Sequence, residues 1–169
     1  DATYQEKLTS FGPNQLQELL ALVESRHTQF SPLSLCTALH RIAASPGGAR
    51  EQRRCSDFLC SLQEALQNPN AFRAQSISNS CWALAKLQWR CPTLLEALVG
   101  AAVTKMEGFK PKELSLLLWG LASSDAAPAT CQQSVVAAVC AEFMERGSEV
   151  FDAQSIATIA YSAGALTVA

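Results

Sequence analysis

Side chains able to hydrogen-bond a nucleobase recur at fixed offsets in this chain. Phe30, Phe72, Phe109 and Phe151 each serve as position one of a segment. Position five then holds Ser34, Ser76, Glu113 and Ser155, and position eight holds Thr37, Asn79, Leu116 and Thr158. Short hydroxyl and amide groups in register suit the edges of splayed bases, one set per segment. Phosphates would need cations nearby. Arg41, Arg73, Lys86, Arg90, Lys110 and Lys112 lie on or beside these segments, and "AREQRR" (Ala49–Arg54) adds Arg50, Arg53 and Arg54. The candidate RNA contacts are therefore Ser34, Thr37, Arg41, Arg50, Arg53, Arg54, Ser76, Asn79, Lys86, Ser155 and Thr158. A plainer reading competes. Ser and Thr on a helix are commonly solvated or bonded back to their own helix, the arginine run reads equally as a solvated helix face, and Glu113 and Leu116 interrupt the column.

Other chemistry finds little footing. There is no Gly-rich phosphate loop and no HExxH. His27 and His40 are the only histidines, and Asp and Glu are scattered singly. Catalysis and a cofactor are not expected. The seven cysteines are odd in number and form no CxxC pair, so the closely spaced ligands of a zinc site are missing. They read as small, buried hydrophobes in a reducing compartment.

Composition narrows the class. The 169 residues suit one domain, and 49 % are apolar. Thirteen basic against fifteen acidic side chains, net charge −2, exclude both a polybasic nucleic-acid sponge and an acidic tail. No apolar run reaches the roughly 18 residues of a membrane span, and no signal-peptide pattern is visible; membrane insertion is not expected.

The elements that would position these groups follow from the repeat. The four phenylalanines are separated by 42, 37 and 42 residues, a period typical of stacked helical hairpins. Position six is Leu35, Ile77, Leu114 and Ile156; position ten is Leu39, Cys81, Leu118 and Ala160; position thirteen is Ile42, Leu84, Leu121 and Ala163. Spacings of three and four mark one helical face. Position eleven carries a ring each time (His40, Trp82, Trp119, Tyr161), which is expected to fill the gap between neighbouring hairpins. Position fourteen is always small, allowing close approach. Apolar-periodic segments near Pro13–Arg26, Arg50–Leu66, Pro92–Met106 and Ala129–Arg146 precede the four copies. The prediction is all-α: an α-solenoid of four antiparallel hairpins and eight main helices over residues 13–169, with residues 1–12 as a lead-in. The apolar stretch Ile159–Ala169 is not a polar cap, so the stack is expected to continue there or to meet a partner.

"FRAQSISNSCWALAKL" (Phe72–Leu87) resembles the octotricopeptide repeat, matching at Phe72, Gln75, Ile77, Asn79, Trp82, Ala83, Leu84, Ala85, Lys86 and Leu87. The next copy keeps Phe109, Pro111, Leu114, Trp119, Leu121 and Ala122. The last keeps Phe151, Gln154 and Ile156, with Tyr161 for Trp. The first keeps Phe30, Pro32 and Leu35 but has His40 at the Trp position. The resemblance implies an organellar RNA-associated protein, mitochondrial or alternatively chloroplastic. It would be a factor in RNA maturation or translation, or a structural subunit of an organellar ribosome, with ribosomal or messenger RNA and neighbouring proteins as partners. RAP domains accompany such repeats in longer relatives, and no such segment is read here. The rival is a protein-binding scaffold without RNA contact. Convergence of Arg41, Lys86, Arg50, Arg53 and Arg54 on one surface would favour RNA. An apolar stripe through Leu116, Leu117 and the Ile159–Ala169 end would favour the scaffold.

Overall fold

A computed structural model describes residues 2–168, which form nine α-helices joined by short 3-10 turns, with no strand among them. The helices are α1 (Ala2–Ser10), α2 (Leu16–Arg26), α3 (Pro32–Ala44), α4 (Ser56–Ala65), α5 (Ala74–Leu87), α6 (Pro92–Val103), α7 (Pro111–Ala122), α8 (Ala129–Arg146) and α9 (Ala153–Val168). Eight match the predicted segments. The ninth, α1, falls in the stretch read as a lead-in, and its Leu8 is fully buried.

Each repeated phenylalanine plays the same local part. A 3-10 turn precedes it, and its N–H donates to the carbonyl three residues back: Phe30 to His27, Phe72 to Pro69, Phe109 to Met106 and Phe151 to Ser148, all at 3.0–3.2 Å. All four are extended at φ −79° to −103°, and all four rings are buried. An inner helix begins two residues later in every copy. Its start is fixed by local chemistry. Pro32 and Pro111 occupy the first turn, where no N–H is needed. Ser31 Oγ accepts the Ser34 N–H at 3.2 Å, Glu113 accepts the Lys110 N–H at 2.9 Å, and Asp152 accepts the Ser155 N–H at 2.6 Å.

The helices pack in two rows. α1, α3, α5, α7 and α9 lie side by side in that order, and α2, α4, α6 and α8 form the second row. α4 rests on α3 and α6 on α5, so each also braces the inner helix that precedes it. Leu39, Ile42, Ile77, Leu84, Leu114, Leu118 and Leu121 fill the core between the rows. The expected helix Arg50–Leu66 instead opens with a 3-10 segment, Gly48–Cys55. Gly48 sits where a Cβ would lie 2.2 Å from the Ile42 carbonyl oxygen, and Trp89, buried at the end of α5, donates its Nε1–H to the Ala49 carbonyl at 3.1 Å. The chain is pulled tight there before α4 can start.

Cations from the second row bind carbonyls of the turns. Lys105 Nζ donates to Phe72 O at 2.9 Å. Arg146 donates to Phe109 O at 2.5 Å, Glu107 O at 2.9 Å and Met106 O at 3.2 Å, and is ion-paired to the buried Glu142. Each contact ties an outer helix to the phenylalanine turn of the preceding copy. Among the described residues, no helix is long and apolar enough to cross a membrane.

Candidate nucleic-acid interface

An inner helix is flanked on both sides by other inner helices, and this decides which of its residues remain open. Position five, expected to contact bases, faces the packed side together with positions nine and twelve, except at Glu113 and Arg41. Ser34, Ser76 and Ser155 at position five are buried, as are Ala38, Ser80, Leu117 and Ile159 at position nine and Ala83, Gly120 and Ser162 at position twelve. Small side chains here let neighbouring helices approach closely, and the Ser34 and Ser80 hydroxyls are satisfied internally, whereas the buried Ser162 hydroxyl has no hydrogen-bond partner among the described residues. Ser34 Oγ donates to Gln5 Oε1 at 3.2 Å, and Ser80 Oγ donates back to the Ser76 carbonyl at 2.9 Å. The base-reading roles assigned to Ser34, Ser76 and Ser155 are corrected accordingly. Only the edges of Ser76 and Ser155 reach the clefts described below.

The open stripe runs through positions four, eight, eleven and fifteen, one face of a helix. It comprises Leu33, Thr37, His40 and Ala44 on α3, then Gln75, Asn79, Trp82 and Lys86 on α5. Lys112, Leu116 and Trp119 follow on α7 with Ser123 just past its end, and Gln154, Thr158, Tyr161 and Ala165 on α9. None of the sixteen is buried. Position eleven is thus corrected as well: Trp82 and Trp119 are half-buried, not sealed between repeats. The reason is close backbone contact beside them. A Cβ on Gly120 would lie 2.7 Å from the carbonyl carbon of Cys81 and 2.9 Å from the Trp82 nitrogen. No indole fits between helices that touch in this way, so both rings turn to the open face. Position fourteen, where close approach was expected, shows no such contact at Gly164, whose Cβ would meet nothing within 4 Å.

Three clefts follow this stripe. The first, about 370 Å³, lies between α1, α3 and α5; the second, about 580 Å³, between α3, α5 and α7; the third, about 300 Å³, between α5, α7 and α9. His40, Gln75 and Asn79 wall both the first and second, and Trp82, Lys112 and Leu116 wall both the second and third. Shared walls make the three one groove along the row. Thr37, Asn79 and Thr158 line it as expected, though Thr37 Oγ1 is already bonded to Leu33 O at 2.8 Å and to Gln5 Nε2 at 2.9 Å.

The cations divide between two places. Arg41 and Lys112 line the groove. Lys86 lies over the Trp82 ring at 4.8 Å, a cation–π contact. Arg41 Nη2 donates to the Thr9 carbonyl at 2.8 Å, leaving its other guanidinium donors for a ligand. Arg54 does not serve this face. It grips Glu24 of α2 through two bonds of 2.7 and 2.9 Å, with Gln17 at 2.8 Å and Glu51 at 3.4 Å beside it. Its guanidinium holds the Glu24 carboxyl below the usual range. The expected Arg54 phosphate clamp is therefore already filled by a carboxylate. Arg50 and Arg53 are exposed on the same 3-10 segment and line none of the three clefts.

His40 packs its ring on Trp82, centroids 5.2 Å apart at 34°. Burial, and then the charges of Arg41 and Lys86, push its pKa down. It is neutral at neutral pH and adds an aromatic face to the groove. Cys36, Cys55 and Cys81 are buried free thiols, their pKa values pushed up by burial to about 11, 12 and 12.

Sequence reasoning missed the parts played by four residues. Gly120 was one letter in an apolar run. Trp89 lay just beyond the repeat motif. Gln75 and Lys112, at position four, were not counted on the stripe, although the three-four spacing from Asn79 and from Leu116 was available to find them.

No protein-family profile matches the chain. A stretch of 66 residues, 39 % of the chain, is 33 % identical to a RAP domain-containing chloroplastic protein of Oryza sativa subsp. japonica. The match spans 10 % of that protein's length.

Proposed function

We propose that this chain is an organellar RNA-associated helical-repeat protein that binds rather than catalyses. The two rows support the reading as an α-solenoid of octotricopeptide-like hairpins in a single repeat unit, to which α1 adds one more inner helix. The observation that carries the reading is the continuous groove on the inner row, bordered by Arg41, Lys86 and Lys112 and by amide, hydroxyl and aromatic groups in register. The similarity to a chloroplastic RAP domain-containing protein supports an organellar setting. It extends to a chloroplast as readily as to the mitochondrion the repeat resemblance implied. An RNA maturation or translation factor fits it, and the ribosomal-subunit form draws no support from it.

The rival reading, a scaffold that binds only protein, draws on Met144, Val150 and Tyr161, exposed on the α8–α9 side. It loses Leu117 and Ile159, which are buried.

Fluorescence anisotropy with single-stranded RNA across a salt series tests the proposal. Phosphate contacts make log affinity fall linearly with log salt. Arg41→Ala, Lys86→Ala and Lys112→Ala should each weaken binding to all sequences and reduce the slope by about one. Arg50→Ala and Arg53→Ala should change little. A folded protein that binds no RNA at low salt would favour the scaffold.

A further inference from the structure

We infer that the cleft between Trp82 and Trp119 is a stacking site for one unpaired nucleobase. This inference rests on the RNA reading of the groove and gives it a binding mode.

Three observations converge on this cleft. Two indoles from consecutive inner helices border the same space of about 300 Å³, within the size range of ligand pockets. His40 and Trp82 sit in ring contact, 5.2 Å apart. Trp82 and Trp119 instead border a common cleft, which Leu116 and Thr158 also line.

The second observation is why both rings are held there. The Gly120–Cys81 contact bars the indoles from the interhelix gap, and Lys86 above Trp82 fixes one of them further. A ring held in place before binding loses little freedom when a ligand stacks on it.

The third is charge. Lys112 and Asp152 both line the cleft, and the exposed Asp152 also caps α9, accepting the Ser155 N–H at 2.6 Å. Lys112 offers a cation to a phosphate next to the stacked base, while Asp152 limits how much negative charge the cleft accepts. Because every base has a π-face, such a site tolerates sequence. This agrees with the burial of the serines that would have read base edges.

The test compares single-stranded oligouridine with an abasic sugar-phosphate oligomer of equal length, using the whole chain. Trp119→Leu keeps apolar bulk and removes the aromatic face. It should weaken oligouridine binding by about 5- to 150-fold, the loss of one base–aromatic stack, and leave abasic binding unchanged. Trp119→Phe should recover most of the loss. Thermal melting checks that each variant folds. Should Trp119→Leu not fold, tryptophan fluorescence of the wild-type chain decides instead. Trp89 is buried, so quenching by oligouridine and not by the abasic oligomer reports Trp82 and Trp119. Equal affinity of wild type and Trp119→Leu for oligouridine would overturn the stacking site while leaving RNA association standing, and would assign this face to a protein partner. Absence of any RNA binding by the wild-type chain would overturn both.

Discussion

Gly120 on α7 and Cys81 on α5 are in backbone contact: a methyl group added at Gly120 would lie 2.7 Å from the Cys81 carbonyl carbon and 2.9 Å from its oxygen. Backbone atoms cannot swing aside as a flexible side chain does. Gly120→Ala must therefore push two inner helices apart. Overpacking of this kind costs about 1–3 kcal/mol, and the shift should also open the Trp82–Trp119 cleft. The expected outcome is a lower denaturant midpoint with an unchanged slope. A midpoint equal to wild type would remove the close-contact explanation for the half-buried indoles.

The three tryptophans should differ in what they contribute. Trp89 is 2 % exposed and bonded to Ala49 O, whereas Trp82 and Trp119 are half-buried on the groove. Trp89→Ala should cost about 3–5 kcal/mol. Trp82→Ala should cost clearly less, because part of the lost surface was already in water. Chemical denaturation of the two variants gives the ranking, and the reverse order would contradict the placement of the rings.

Arg146 holds the turn before α7 by three carbonyl bonds and pairs with the buried Glu142. Arg146→Met keeps the aliphatic stem but leaves three carbonyls and a carboxylate unmatched. The expected loss is about 2–3 kcal/mol, the scale of a hydrogen bond to a charged group. Adding Glu142→Gln to Arg146→Met should recover part of it, and a double-mutant cycle measures that coupling. Simple additivity would mean the pair does not act together.

His40 gives the fold an acid sensitivity. Its pKa is depressed in the folded chain by burial and by Arg41 and Lys86. As the pH falls through the unfolded histidine value, about 6.5, the unfolded chain takes up a proton that the folded chain resists. Stability is then lost on acidification and fully present above that value. His40→Phe should reduce the drop in Tm between neutral and mildly acid pH. An unchanged pH profile would place the sensitivity elsewhere.

Thiol reactivity should sort the cysteines by depth. Cys60 and Cys140 are exposed, while Cys36, Cys55 and Cys81 are buried with pKa values of about 11 to 12. Thiolate is the reactive form, so a thiol reagent at neutral pH should label Cys60 and Cys140 rapidly. The three buried thiols should react only as fast as the chain opens. Mass spectrometry of partly labelled protein reads the order, and early labelling of Cys81 would argue against the packing of α5.

Four phenylalanines at a near-constant period, with apolar residues at positions six, ten and thirteen, were enough to specify helices and their turns. Hydrophobic periodicity and caps are local properties, and they located eight helices, with the start of α4 misplaced from Ser56 to Arg50. They also marked which side of each inner helix meets the second row. They could not assign the remaining faces. Ser76 and Trp82 read, by residue type, as open and buried, and the structure reverses both. A serine is polar but small, so it fits where two backbones nearly touch and satisfies its hydroxyl or backbone groups within the helices. A tryptophan is apolar but too large for that gap, so it goes to the groove. Arg54 likewise read as a free cation until folding brought Glu24, thirty positions earlier in the chain, within 2.7 Å. Burial of an inner helix on both flanks depends on the distance between neighbouring helices. That distance is set by the smallest side chain at each crossing, a contact between residues far apart in sequence.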